Sequence, residues 1–528
     1  MKTIFFNSKI FTQDIKHPFA EAMLIDEGVI QAVGTNDDIL SLAAADSHIK
    51  KVDLEKQTVL PGFTDAHLHL LQLAISQQKV DCETQTRKEC LARIEKRVKE
   101  RKPGEWILGH GWNHHIWIEG IGNVEILDQI SPDNPVYLTN KSLHGAWVNS
   151  LALQKAGISS ASPDPEGGII GRDISGNPDG ILLESAVYLI ESVLPVLSPA
   201  QALKAIQNIQ NYLFKHGITT VHDFDRRLSF TALQELDRNK KLKVGVVKSI
   251  PIESMEAAIT LGLRTGFGSS NLIIGSVKLF MDGALGTQTA AMLEPYENSN
   301  NNGLLLLCEE ELFEIAVKAS ENKLSLAIHS IGDHANQIVI KVIGRLRDYE
   351  QKHHIIGLQH RIEHLQNITQ SDLSKMAGLG IVASMQPLQL SSDIPAADQN
   401  WGARNKYTYA FRSVIDHNIP LVFGSDAPVE KPDCFAGLHA AVNRTNQSHL
   451  PKDGWYPDQK ITIEEAVRAF TTTVYKIPGG VENKGLLMPG YQADLIVLDR
   501  NLYEIPQETI LDTRVIATMI RGDWVWQR

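Results

Sequence analysis

The chain's most suggestive chemistry starts at His67 and His69, two histidines two residues apart in the run Pro61-Gly62-Phe63-Thr64-Asp65-Ala66-His67-Leu68-His69. On a strand, side chains repeat every second residue, so both imidazoles point the same way and can share one metal ion. A pair this short also arises by chance or as packed core histidines, so the rest of the chain has to decide. Further along, His329, His364 and Asp426 each close a short apolar run, and Lys278 lies inside another. Taken singly, a strand-end histidine is commonly structural, and an aspartate after Gly424-Ser425 is commonly a turn residue. Four imidazoles, a carboxylate and an amine at corresponding places in successive runs are more than packing requires. Such donors suit a bound divalent metal ion. The lack of a convincing Gly-x-Ser-x-Gly elbow weighs against a serine hydrolase.

The elements that would position these residues are legible in the hydrophobic pattern. Eight strand candidates, 59–67, 218–224, 242–249, 276–281, 324–330, 359–365, 381–386 and 421–426, alternate with helical stretches such as 310–322, 334–349 and 371–377. Parallel strands with crossover helices, eight in number, predict a TIM (β/α)8 barrel, whose active site lies at the C-terminal strand ends. Thr462, with Glu465 as its capping-box partner, predicts the start of a last helix over 463–473. Short alternating runs in the first sixty and last forty residues predict one small β-sandwich built from both termini. The interval after the first barrel strand is too long for one βα unit and predicts an inserted subdomain, with 104–117 and 163–180 as loops. The expected organisation is 1–58 and 483–528 for the sandwich, 59–80 and 200–482 for the barrel, and 81–199 for the insertion.

With 528 residues, 43% hydrophobic and 21% charged, the chain has an ordinary globular composition and room for more than one core. A net charge of −11 without a basic stripe argues against nucleic acid and anionic membrane surfaces as partners, leaving small molecules. The apolar start is broken by Asn7, Ser8 and Lys9, and no later run is long enough to span a bilayer. Cys82, Cys90, Cys308 and Cys434 are sparse and have no CxxC spacing, as in a reduced compartment. These features predict a cytoplasmic, unanchored protein.

PGFTDAHLHL, SVKLFMDGALG, AIHSIGD, HRIEHLQ, FGSDAPV and KGLLMPGYQADLIVLD together resemble the amidohydrolase superfamily across essentially the whole chain. VNSLALQKAGI, the loop Pro163 to Gly168, GITTVHDF, Trp401 to Arg404 and Ala441 to Arg444 resemble its formamide-deformylase-like (YtcJ-like) branch. The resemblance implies a metal-bearing barrel that hydrolyses an amide-like C–N bond. It implies that His67, His69 and Asp426 hold one divalent ion and His329 and His364 another, with Lys278 bridging as a carbamate formed with carbon dioxide. A free ammonium has no lone pair for a metal, so Lys278 joins such a site only once neutralised and carboxylated. The alternative is an ammonium paired with Asp282, Asp223 or Asp426 beside a single ion. Zinc suits these donors best. Asp426 is then the group that takes the proton from the activated water and passes it to the departing nitrogen.

Substrate contacts are expected from Trp112, His114, His115 and Trp117 in the insertion, and from His144, Asp282, Gln386, Arg404 and Arg444. The aromatic loop could equally be stacked without touching ligand, and the arginines could pair with nearby acids. Gln389 stands where many relatives carry a histidine, two residues after Gln386-Pro387. The resulting expectation is hydrolysis of a small N-substituted amide such as an N-formyl or N-acyl amine, in a protein that can form a homodimer. A deaminase with a one-ion site and a catalytically silent scaffold are the alternatives.

Overall fold

The computed structural model describes residues 2–43, 48–112, 117–140, 145–477 and 483–528. Two compact units emerge, Met1–Leu73 with Ala202–Arg528, and Ala74–Gln201.

In the first unit, eight parallel strands follow one another around a barrel: Phe63–Leu68, Ile218–Asp223, Gly245–Pro251, Leu272–Phe280, Leu326–Ser330, Arg361–His364, Val382–Met385 and Leu421–Phe423. Most are buried on both faces, as expected for parallel strands covered by helices. First and last strands meet at their C-terminal ends, where Asp426 N–H donates to the His67 carbonyl (2.7 Å) and His69 N–H to that of Ala427 (2.8 Å). The closure therefore sets three candidate ligands side by side. The expected run 59–67 is two strands, because the chain changes sheets at Gly62. Thr58–Pro61 pairs antiparallel with Leu495–Leu498, and a Cβ at Gly62 would collide with the Thr219 side chain. Crossover helices Glu309–Glu321, Asp333–Lys352 and Gln370–Ala377 lie close to their expected spans. The capping box of Thr462 and Glu465 forms, but the helix it opens stops at Phe470 and restarts at Thr472. Thr471 breaks it by leaving helical geometry (φ −129°, ψ −95°).

The two chain ends build a β-sandwich. One sheet runs in the order Val29–Gly34, Ala22–Asp26, Thr3–Phe6, Lys50–Asp53. The other joins Lys9–Phe11 and Thr58–Pro61 to Leu495–Leu498 and Val515–Ile520. Phe5, Met23, Ile30, Val59, Leu495 and Met519 close the core between them.

The second unit corrects two loop expectations. Residues 107–112, within the stretch expected to be loop, form the strand Ile107–Trp112, paired in parallel with Val136–Asn140. Its Gly109 marks close approach, since a Cβ there would sit 2.6 Å from Leu138 and 2.7 Å from Cys82. Residues 163–180 contain most of a hairpin, Gly168–Arg172 against Pro178–Glu184. Asp173 turns it, its Oδ1 accepting the N–H groups of Ser175 and Asn177 at 2.8 Å each. Among the described residues, no helix is long and apolar enough to cross a membrane.

Candidate metal centre

Strand ends bring the candidate ligands together. The ligating atoms of His67, His69 and Asp426 lie within 4.8 Å of one another, and Asp426 Oδ1 is 3.6 Å from Nε2 of each histidine. His364 packs beside them, its ring centroid 5.1 Å from that of His67 and 4.5 Å from that of His329. Asp426 and His364 adopt left-handed backbone conformations (φ 60° and 76°), which the surrounding barrel end has to hold in place. His329 turns Nε2 to the Gly283 carbonyl (2.9 Å), so only its Nδ1 keeps a lone pair for an ion.

Buried acids and amides hold these rings. His67 Nδ1 lies 2.6 Å from Glu363 Oε2, which directs Nε2 to the cluster. Arg361 in turn pairs with Glu363 (2.7 Å) and donates to the Ala66 carbonyl. His364 Nδ1 meets Gln386 Oε1 at 2.8 Å. His69 Nδ1 is 3.4 Å from Asp225, whose other oxygen accepts the N–H groups of Leu71 and Gln72. Burial, with Lys278 and the other imidazoles nearby, drives His67 and His364 well below the usual histidine range, and burial takes His329 to about 3. His69 is the exception. Burial alone would lower it, but Asp225 and Asp426 outweigh that and raise it. Three of the four imidazoles are thus neutral, the form that offers a lone pair.

Lys278 is the odd member. Its Nζ is buried without a hydrogen-bond partner, 5.2 Å from the Phe224 ring and 4.9 Å from that of Phe280, and burial lowers its pKa to about 8. The carboxylates considered as its partners are engaged elsewhere. Asp223 pairs with Lys248 at 3.1 Å, Asp282 accepts backbone N–H groups of Ala291, Ile331 and Gly332, and Asp426 Oδ2 accepts from Gln389 Nε2 at 3.0 Å. A buried amine with no partner, beside neutral imidazoles and a carboxylate, suits a divalent-ion site.

Sequence comparison decides the lineage: the amidohydrolase family model matches residues 50–526. The chain belongs to the amidohydrolase family. It is 32% identical to Protein LONG AFTER FAR-RED 3 of Arabidopsis thaliana, over 98% of this chain and 90% of that one. It is 26% identical to an N-substituted formamide deformylase of Arthrobacter pascens, over 99% and 98% of the two chains. A metal-dependent hydrolase from Pyrococcus horikoshii superposes with a TM-score of 0.77 at 26% identity, covering 96% of this chain and 99% of that one. The chain is accordingly a metal-dependent hydrolase of C–N bonds with a small-molecule substrate.

In this amidohydrolase the residues expected to touch substrate mostly brace the scaffold. Arg444 is fully buried, and its guanidinium donates to the carbonyls of Trp455, Tyr409 and Thr408. Arg404 donates to the carbonyls of Trp401, Asn400 and Glu294. Trp112 belongs to the core of the second unit and donates to the Leu138 carbonyl, and Trp117 is buried in the same core. Asp282 ties two loops together through backbone amides, and Gln386 serves His364. His114, His115 and His144 lie outside the described residues. Sequence reading missed Glu363, Arg361, Asp225 and Lys248. Their signal was charge placed inside or just beyond otherwise apolar barrel strands, where an unpaired charge is rarely tolerated.

Proposed function

We propose that this amidohydrolase cleaves a small N-substituted amide, with N-formyl and N-acyl amines the leading class. The observation that carries the reading is a tight three-donor cluster beside a buried, partnerless lysine. Kinship with an N-substituted formamide deformylase supports the amide class. In this reading His67, His69 and Asp426 hold one divalent ion, His329 and His364 hold a second, and Lys278 joins the two. Its uncharged amine would add to carbon dioxide and release a proton, giving a carbamate. Such ions, zinc suiting the donors best, supply an acidified water and a Lewis acid at the carbonyl. The chain's own groups do the rest. Asp426 takes up a proton at a carboxylate oxygen and returns it to the departing nitrogen, which cannot leave as an amide anion. Glu363 and Gln386 hold His67 and His364 with Nε2 toward the site. A cytoplasmic location belongs to the proposal and rests on sparse cysteines, all four of them free.

One observation favours a second reading. Among the described residues only one cluster of three donors forms, and neither His329 nor His364 belongs to it. That arrangement suits a one-ion deaminase of a heterocyclic amine. Metal content and the mass of Lys278, measured on protein that turns over a panel of formyl amines, acetyl amines and aminoheterocycles, separate the two. About two ions per chain, an added carboxyl on Lys278 and cleavage of N-substituted amides support the first. One ion, an unmodified Lys278 and ammonia released from a heterocycle would replace it with the second.

A further inference from the structure

We infer that Gln389 is a positioning residue for Asp426, held in one orientation by a directional chain of side-chain hydrogen bonds anchored at Asp393. The inference rests on the proposed role of Asp426.

The chain reads outward from the metal cluster. Asp426 Oδ1 faces His67 and His69, while Oδ2 accepts from Gln389 Nε2 at 3.0 Å. Gln389 Oε1 accepts from Gln366 Nε2 at 3.5 Å, and the same Nε2 donates to Asp393 Oδ2 at 3.3 Å. Asp393 Oδ2 also accepts the Tyr409 hydroxyl at 2.6 Å. A carboxamide has a donor end and an acceptor end, and nothing in its shape says which way it turns. Here the far end decides. Asp393 only accepts, so Gln366 must present its NH2. That NH2 reaches Gln389 Oε1, so Gln389 must turn its own NH2 to Asp426. A reversed Gln389 would set oxygen against oxygen at Asp426 and NH2 against NH2 at Gln366. Gln366 and Gln389 are both buried, so water is poorly placed to repair a reversal.

The consequence is a carboxylate with divided duties. Gln389 pins one oxygen, which leaves the other directed at the ligand cluster. The donor is a neutral amide and gives up no proton, so Asp426 stays the proton carrier.

Three variants test this, with zinc affinity measured by competition with a chelator and turnover measured on an established substrate. Gln389→Glu places an acceptor against Asp426 and should weaken zinc by about 10- to 100-fold, the usual loss for a ligand's supporting partner. Asp393→Asn, near-isosteric and remote from the ligands, should lower kcat with KM unchanged, because a fraction of the amides turns. In a Gln389→Met background no amide remains to be turned, so Asp393→Asn should have no further effect on kcat. Wild-type zinc affinity in Gln389→Glu, or additive losses in the double variant, would overturn the inference. The zinc arm needs no substrate. If Asp426→Asn keeps its turnover while Gln389→Glu loses zinc, the proton-carrier role fails and the positioning stands.

Discussion

Lys278 and Arg444 are both buried cations on the barrel unit, 6% and 0% exposed, and their surroundings are opposite. Arg444 meets three carbonyl oxygens with its planar fork, so its burial is compensated bond for bond. Lys278 has two aromatic rings near its Nζ and no hydrogen bond at all. A fold retains an uncompensated polar group where something outside the chain completes it. The same contrast separates Asp426, whose Oδ1 meets only two imidazoles at 3.6 Å, from Asp282, whose two oxygens accept three backbone N–H groups. In these two comparisons incomplete satisfaction falls at the mouth, where the candidate metal centre lies, and complete satisfaction in its frame.

The largest effect should come from Asp426→Asn. The amide is near-isosteric but cannot accept the proton, a role worth about 10² to 10⁴ in rate. Steady-state kinetics on an established substrate should show a folded protein with kcat reduced by that order. A kcat near wild type would move Asp426 from the mouth to the frame. Arg444→Met tests the frame from the other side. Three buried carbonyls would lose their donors, at roughly 3 kcal/mol or more in total, read as a lower midpoint in chemical denaturation. Folded molecules should keep wild-type zinc affinity. A stable Arg444→Met protein that loses zinc or turnover would place Arg444 in the chemistry.

The same contrast explains what the sequence could and could not reveal. Barrel strands were legible because their apolar runs repeat, and the candidate ligands because they sit at corresponding ends. Gly62 hid a change of sheet, since a glycine in an apolar run does not say whether it lets the chain turn or lets Thr219 approach. Gly109 hid a strand for the same reason, its close neighbours Leu138 and Cys82 being remote in sequence or known only once folded. For Arg404 and Arg444 the sequence leaves open substrate contact or pairing with nearby acids, because it shows a charge but not the carbonyls that consume it. Glu363 lies 296 positions from His67, so no local spacing announces their pair.

That pair gives the next effect in size. Glu363→Gln keeps the shape but weakens the hold on His67, and should cost about 10- to 100-fold in zinc affinity. Competition with a chelator reads it directly. An unchanged affinity would mean that packing against Phe224, stacked 4.0 Å from the His67 ring, is enough to orient the imidazole.

The smallest effect concerns stability alone and tests the comparison at its centre. In metal-stripped protein, Lys278→Met replaces a buried amine that has no partner with an apolar chain of similar length. Replacing buried charged groups with apolar ones is often neutral or stabilising by about 1–4 kcal/mol, and removal of a satisfied partner is destabilising. For Lys278 the first outcome is expected, at the low end because the Phe224 and Phe280 rings return part of the cost of burial. Denaturant midpoints of the two metal-free proteins measure it, and the variant should bind zinc poorly despite its equal or greater stability. If instead Lys278→Met is clearly less stable than the parent, the ammonium has a structural partner, and the mouth and the frame are not distinguished by satisfaction of their polar groups.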